Sequence, residues 1–216
     1  MNKNIELEVY KRLKHSIMTR QLTPSSQLIE TAIAESFGVS RTPIRSALKK
    51  LEYEGLVQII PRKGAFVTQT SIEEFIDLFQ SRLFLEKEAA KLAATKITSN
   101  QLTYFENLMI EELQSYKDRN FEKFIIINNK MHMLIAESSK NKFYIKFINE
   151  LNMKSNIYLI FHDDFYTKPI DRLNSLKEHK AIFEALKLKN PDKCAEAMEL
   201  HIKSVFENLR LAKIHL

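Results

Sequence analysis

Apolar residues recur every three or four positions along most of the chain, and the main break in that rhythm is short. Ile5, Val9, Leu13, Ile17 and Met18 keep helical spacing and predict a first helix ending before Thr23-Pro24. Leu28, Ala32, Ile33 and Phe37 predict a second helix over 28–37. Gly38 follows it and suits the left-handed residue that closes a helix. Ser40 reads as the N-cap of a third helix, Arg41 to Glu54, with Ile44, Ala47, Leu48 and Leu51 facing inward. After Gly55 the period changes. Leu56-Val57-Gln58-Ile59-Ile60, the turn Pro61-Arg62-Lys63-Gly64 and Ala65-Phe66-Val67 read as strand, basic turn, strand. Helix, glycine turn, helix and hairpin together predict a winged helix-turn-helix.

From Ser71 onward the pattern is helical throughout. Six helices are expected, over roughly 71–96, 99–118, 121–138, 141–162, 171–188 and 191–215. Thr98-Ser99, Asn120 and Asn190-Pro191 mark breaks between them, and no glycine occurs after Gly64. The fold class is therefore mainly α, a winged helix-turn-helix with a small β-hairpin wing followed by an antiparallel bundle of six helices. The expected domains are 1–68 and 71–216.

Composition narrows the function. The chain has 216 residues, enough for one large domain or two small ones, and its three glycines are too few and too scattered for a phosphate-cradling loop. A single cysteine, Cys194, excludes a disulfide framework and a cysteine-based zinc ribbon. No long apolar run and no apolar N-terminal core are present, so a cytoplasmic protein without a membrane partner is expected. Charge is uneven. Residues 1–68 hold 11 Lys and Arg against 6 Asp and Glu, whereas the remainder is almost balanced. A small basic unit beside a neutral one suggests a nucleic-acid reader coupled to something else.

In a winged helix the third helix enters the major groove by its leading residues. Arg41, Thr42 and Arg45 occupy that edge, with Lys49 one turn further on. Arginine suits guanine O6 and N7, which makes Arg41 and Arg45 the candidates for base reading. Ser40, Lys49, Arg62, Lys63 and the wing-tip Gly64 are candidates for holding the backbone of double-stranded DNA.

In the second part, polar residues fall inside apolar stripes. Arg82 and Glu86 sit among Phe75, Phe79, Ala89 and Ala93. Asn128 and His132, four apart and hence on one helix face, lie among Phe121, Phe124 and Ile135. His179 falls among Leu176, Ile182, Phe183 and Leu186, with Arg172 two turns away, and His201 among Ala197, Met198 and Val205. Buried polar groups are costly without partners, so these residues either satisfy one another or surround something. Imidazole nitrogens with a side-chain oxygen suit a divalent metal such as Zn, Ni or Mn. A nearby arginine would then hold a carboxylate.

Ser40-Arg41-Thr42-Pro43-Ile44-Arg45-Ser46-Ala47-Leu48 and Leu51-Glu52-Tyr53-Glu54-Gly55-Leu56-Val57 resemble the recognition-helix signature of the GntR family of bacterial transcription regulators. Leu22-Thr23-Pro24-Ser25 is similar too, with Ser25 where the family usually has glycine. Leu78-Phe79-Gln80-Ser81-Arg82-Leu83-Phe84-Leu85-Glu86, Met131-His132 followed by Asn141, Glu178-His179 and Met198-Glu199-Leu200-His201 resemble the FCD effector domain of the FadR subfamily, in its shorter VanR-like branch. The resemblance implies a homodimeric regulator of an inverted-repeat operator, switched by a small carboxylate. It also implies metal ligands at His132, His179 and His201, with Asn128 where metal-binding members carry Asp. Arg82, Glu86, Asn141 and Arg172 are the candidate effector-binding residues. The rival reading is a metal-dependent hydrolase with a DNA-binding appendage.

Overall fold

Where each helix stops is set by its own sequence, and those stops fix the architecture. The computed structural model describes residues 2–69, 71–163, 165, 169–170 and 173–208. Among the described residues the order is α1 (Asn2–Met18), β1 (Gln27–Leu28), α2 (Glu30–Phe37), α3 (Arg41–Tyr53), β2 (Val57–Ile60), β3 (Gly64–Val67), α4 (Ile72–Ala94), α5 (Ser99–Lys117), α6 (Phe121–Ser138), α7 (Lys142–His162), α8 (Asn174–Lys187) and α9 (Pro191–Asn208). The mainly helical class is as the periodicity predicts.

The chain divides into two units. One comprises Met1–Ser71 with Asn156–Phe161, and the other Ile72–Ser155 with His162–Leu216. In the first, α1 and α2 pack on α3, whose Ile44, Ala47, Leu48 and Leu51 are buried as the spacing requires. Gly38 ends α2 at φ 62°, and its N–H bonds back to the carbonyls of Ala34 and Glu35. Ser40 has the extended backbone of an N-cap, although its hydroxyl makes no capping hydrogen bond.

The wing departs from expectation in one respect. Leu28 was expected to begin a helix, yet Gln27 and Leu28 form a strand antiparallel to Phe66 and Ala65. The hairpin thus becomes a three-stranded sheet of order β1-β3-β2, and α2 starts at Glu30. Leu28 serves the core from a strand as well as it would from a helix, so a lone apolar residue could not decide between them. At the tip, Arg62 at φ 64° and Gly64 at φ 105° turn the chain, and Ile60 pairs with Gly64.

In the second unit α4 lies along α9 and also meets α6 and α8, while α5 packs on α6 and α8. Thr98 and Gln101 form a reciprocal capping box at α5, and the Asn120 side chain accepts from the Lys123 N–H at α6. Phe75 and Phe79 of α4 pack with Phe206 of α9, and Tyr116, Phe121, Phe124 and Phe165 form a second aromatic cluster. Among the described residues, no helix is long and apolar enough to cross a membrane.

Gly38 gives a clean test of backbone strain, because a Cβ added there meets no atom within 4 Å. Gly38→Ala is expected to destabilise the chain by about 1 kcal/mol, measured by urea unfolding, purely from the cost of a left-handed residue with a side chain.

Candidate nucleic-acid interface and metal centre

The leading edge of α3 carries its arginines in the open. Arg41 and Arg45 are more than half exposed, one helical turn apart, and both turn to the same acceptor. Arg41 donates to Glu30 Oε2 from Nε (3.1 Å) and Nη2 (2.7 Å), and Arg45 donates to it from Nε (2.8 Å). Burial acts to raise the Glu30 carboxyl, but hydrogen bonds from Arg41 and then Arg45 hold it below its ordinary range. Ser40, Thr42, Lys49, Arg62, Lys63 and Gly64 are all exposed. Sequence reasoning assigned Glu30 no role here; separations of 11 and 15 residues follow no local rule.

The bundle brings together Arg82, Glu86, His132, His179 and His201, each at most 2% exposed. One ring nitrogen from each histidine lies within 4.8 Å of those of the other two. Behind each ring stands a carboxylate. His132 Nδ1 bonds Glu86 of α4, and His201 Nδ1 bonds Glu178 Oε2 of α8 at 2.9 Å. His179 Nδ1 meets both oxygens of Glu112 on α5, at 3.0 and 2.9 Å. A carboxylate only accepts, so each Nδ1 carries a proton, and in the neutral form of each ring Nε2 keeps its lone pair.

Those lone pairs converge. Nε2 of His201 lies 3.3 Å from Nε2 of His132, and Nε2 of His179 is buried without a partner among the described residues. Burial pushes His132 down and His201 well down, the latter helped by the neighbouring His179 and His132, so both rings are neutral near pH 7. Burial also depresses His179, but the charge and hydrogen bond of Glu112 outweigh it and raise this ring overall. Two neutral acceptors at 3.3 Å repel unless a cation lies between them. That spacing matches the edge of a tetrahedron of Zn–N bonds, about 3.4 Å for bonds of ~2.0–2.1 Å. The donor set therefore fits a divalent metal.

Arg82 donates from Nε to Glu86 (2.7 Å) and from Nη1 to Ser155 Oγ of α7 (3.2 Å). Burial alone would raise the Glu86 carboxyl, yet Arg82 and then His132 draw it down to about 2. Asn152, one turn before Ser155, is buried with neither side-chain polar atom hydrogen bonded among the described residues.

The other expected residues fall as follows. Asn128 is buried one turn before His132. Asn141 Oδ1 accepts from the N–H groups of Phe143 and Tyr144, which makes it a cap for the first turn of α7 rather than a member of the histidine cluster. Arg172 lies outside the described residues. Glu112 was missed altogether, although its spacing from Phe105, Leu108 and Tyr116 sets it on the buried face of α5. Glu178 entered only as part of a motif, and Asn152 and Ser155 not at all.

Comparison with known proteins agrees in both parts of the chain. Residues 5–67 match the model of bacterial regulatory proteins of the gntR family, and residues 77–204 match the FCD domain. The HTH-type transcriptional regulator YdhC of Bacillus subtilis is 29% identical over 205 residues, covering 94% of this chain and 90% of its own. The HTH-type transcriptional repressor RspR of Escherichia coli is 26% identical, covering 95% of this chain and 89% of its own. The solved structure of E. coli McbR/YncC superposes with a TM-score of 0.74 at 22% identity, covering 97% of each chain, a likeness of fold.

Glu86 would be left as a buried charge without its strongest partner if Arg82 were removed. Arg82→Met is expected to lose about 3–5 kcal/mol in urea unfolding, and the double variant Arg82→Met/Glu86→Leu to recover much of it.

Proposed function

Since the chain belongs to the GntR family of bacterial transcription regulators and carries an FCD domain, we propose that it is a ligand-responsive regulator switched through its metal-holding helical unit. Residues 1–68 read DNA, and residues 71–216 bind the effector and dimerise. The observation that carries the effector half is the convergence of three buried histidine nitrogens, each ring held from behind by its own carboxylate.

His132, His179 and His201 would hold a divalent transition metal, Zn, Ni or Mn, with the Asn128 amide oxygen as a weaker fourth donor. A bound metal supplies Lewis-acid attraction for the oxygens of a small carboxylate. Arg82 keeps donors beyond those given to Glu86 and Ser155, and these would orient the same carboxylate. Asn152 adds a donor and an acceptor on the buried face of α7. Glu86 fixes the Arg82 and His132 heads rather than touching the effector itself. Family and named relatives are transcription regulators, so the hydrolase alternative has no support from either.

A homodimer would set two α3 helices against the half-sites of an inverted repeat. Arg41 and Arg45 read base edges, Thr42 lies beside them, and Ser40, Lys49, Arg62, Lys63 and Gly64 contact the phosphate backbone. The effector shifts the dimer between arrangements only if it binds them with different affinity.

Two measurements test these halves separately. Full-length protein purified without a tag or chelator should carry about one transition-metal equivalent per chain, lost in His132→Ala, by elemental analysis. Absence of metal after incubation with Zn, Ni and Mn sinks the metal reading. On a duplex selected from a random pool, Arg41→Ala and Arg45→Ala should each cost about 1–3 kcal/mol and relax sequence preference. Lys63→Ala should weaken all sequences alike and flatten the salt dependence.

A further inference from the structure

Three carboxylates stand behind three histidines, and they are not equivalent. Glu86 answers to Arg82 as well as to His132. Glu178 retains 17% side-chain exposure and so shares its charge with solvent. Glu112 is fully buried, and among the described residues its one ion-pair partner is His179. A carboxylate taken wholly out of water beside a single imidazole is costly unless more positive charge lies close by. The place for that charge is the far side of the His179 ring, where Nε2 is buried without a partner among the described residues. The direct donors there bring no compensating negative charge, since an imidazole must be unprotonated to bind a metal and is then neutral, as is the Asn128 amide.

We propose that Glu112 supplies, through the His179 ring, the negative charge that the metal centre lacks among its direct donors, and so governs how tightly the centre holds a divalent cation. The geometry suits the task. Both Glu112 oxygens reach Nδ1, at 3.0 and 2.9 Å, which fixes the ring rotation and the Nδ1 proton and leaves Nε2 as donor to the metal. Glu112 comes from α5, whose inward face is otherwise formed by Phe105, Leu108, Ser115 and Tyr116, so it is the one charged group on that buried face. It is a positioning residue, which would act on the metal only through the His179 ring.

This inference rests on the metal reading, and the experiment keeps the two apart. Zinc affinity of the full-length protein would be measured by competition with a chromophoric chelator for wild type, Glu112→Gln and Glu112→Gln/Asn128→Asp. Helical content and melting temperature serve as controls for folding. Glu112→Gln keeps the shape and removes the charge, and should weaken zinc binding about 10–100-fold. Adding Asn128→Asp places a charge directly among the donors and should recover most of that loss. Unchanged affinity in Glu112→Gln overturns the inference while leaving the metal reading intact, as does a loss that Asn128→Asp fails to recover. A wild type that binds no zinc overturns both. Should the variants not fold, long-range 15N NMR of the metal-free wild type decides: His179 should carry its proton on Nδ1 and move at Nε2 when zinc is added, and a bare Nδ1 would overturn the role of Glu112.

Discussion

The helical unit is organised around buried carboxylates that grip imidazoles. Glu86, Glu112 and Glu178 come from α4, α5 and α8, while the rings they hold come from α6, α8 and α9. Five helices are thereby tied to one small polar volume, and each tie is specific in distance and direction. Apolar packing tolerates a shift of a side chain or a slide of a helix far better than a buried ion pair does. The polar centre therefore sets the registration of the bundle, and the aromatic clusters fill the space around it.

Such a core is a poor way to gain stability alone. Ionised groups lose their hydration on entering it, and converging lone pairs repel. The arrangement would become favourable if a cation entered, because the same lone pairs would then point at positive charge and the carboxylates behind them would be answered. Binding and core cohesion would thus be coupled: a ligand that engaged a bound metal would act on the contacts that hold α4, α6, α8 and α9 in place. A switch needs a link of this kind between an occupied site and the relative placement of helices.

Much of this was legible in the sequence, and the omissions share a cause. His132, His179 and His201 stood out because each interrupts an apolar stripe, and the breaks at Gly38, Thr98, Asn120 and Asn190 carried their own turn or capping chemistry. Glu112 interrupts a stripe in the same way but lies on an amphipathic helix with other glutamates nearby, where one more acid looks solvated. The pairing of Gln27 and Leu28 with the wing depends on a strand nearly forty residues later, which no local period contains. Asn141 is a different case: its place in a family motif suggests ligand contact, and the structure adds a local task, since its carboxamide oxygen caps the backbone of α7. Periodicity shows which face is buried. It does not show which partner waits there.

Glu30 changes how recognition by α3 should be thought of. Both exposed arginines already give charged hydrogen bonds to one carboxylate, so a base edge that took those same N–H groups would have to displace Glu30. A guanine edge offers two acceptors in the plane of a guanidinium and can replace what is surrendered. An isolated phosphate or a base edge with one acceptor replaces less of it. If Arg41 and Arg45 read base edges as proposed, the acidic residue at the head of α2 would act as a built-in competitor, weighing most against the contacts that replace least. Sequence discrimination would then be raised by an amino acid whose own charge repels the DNA.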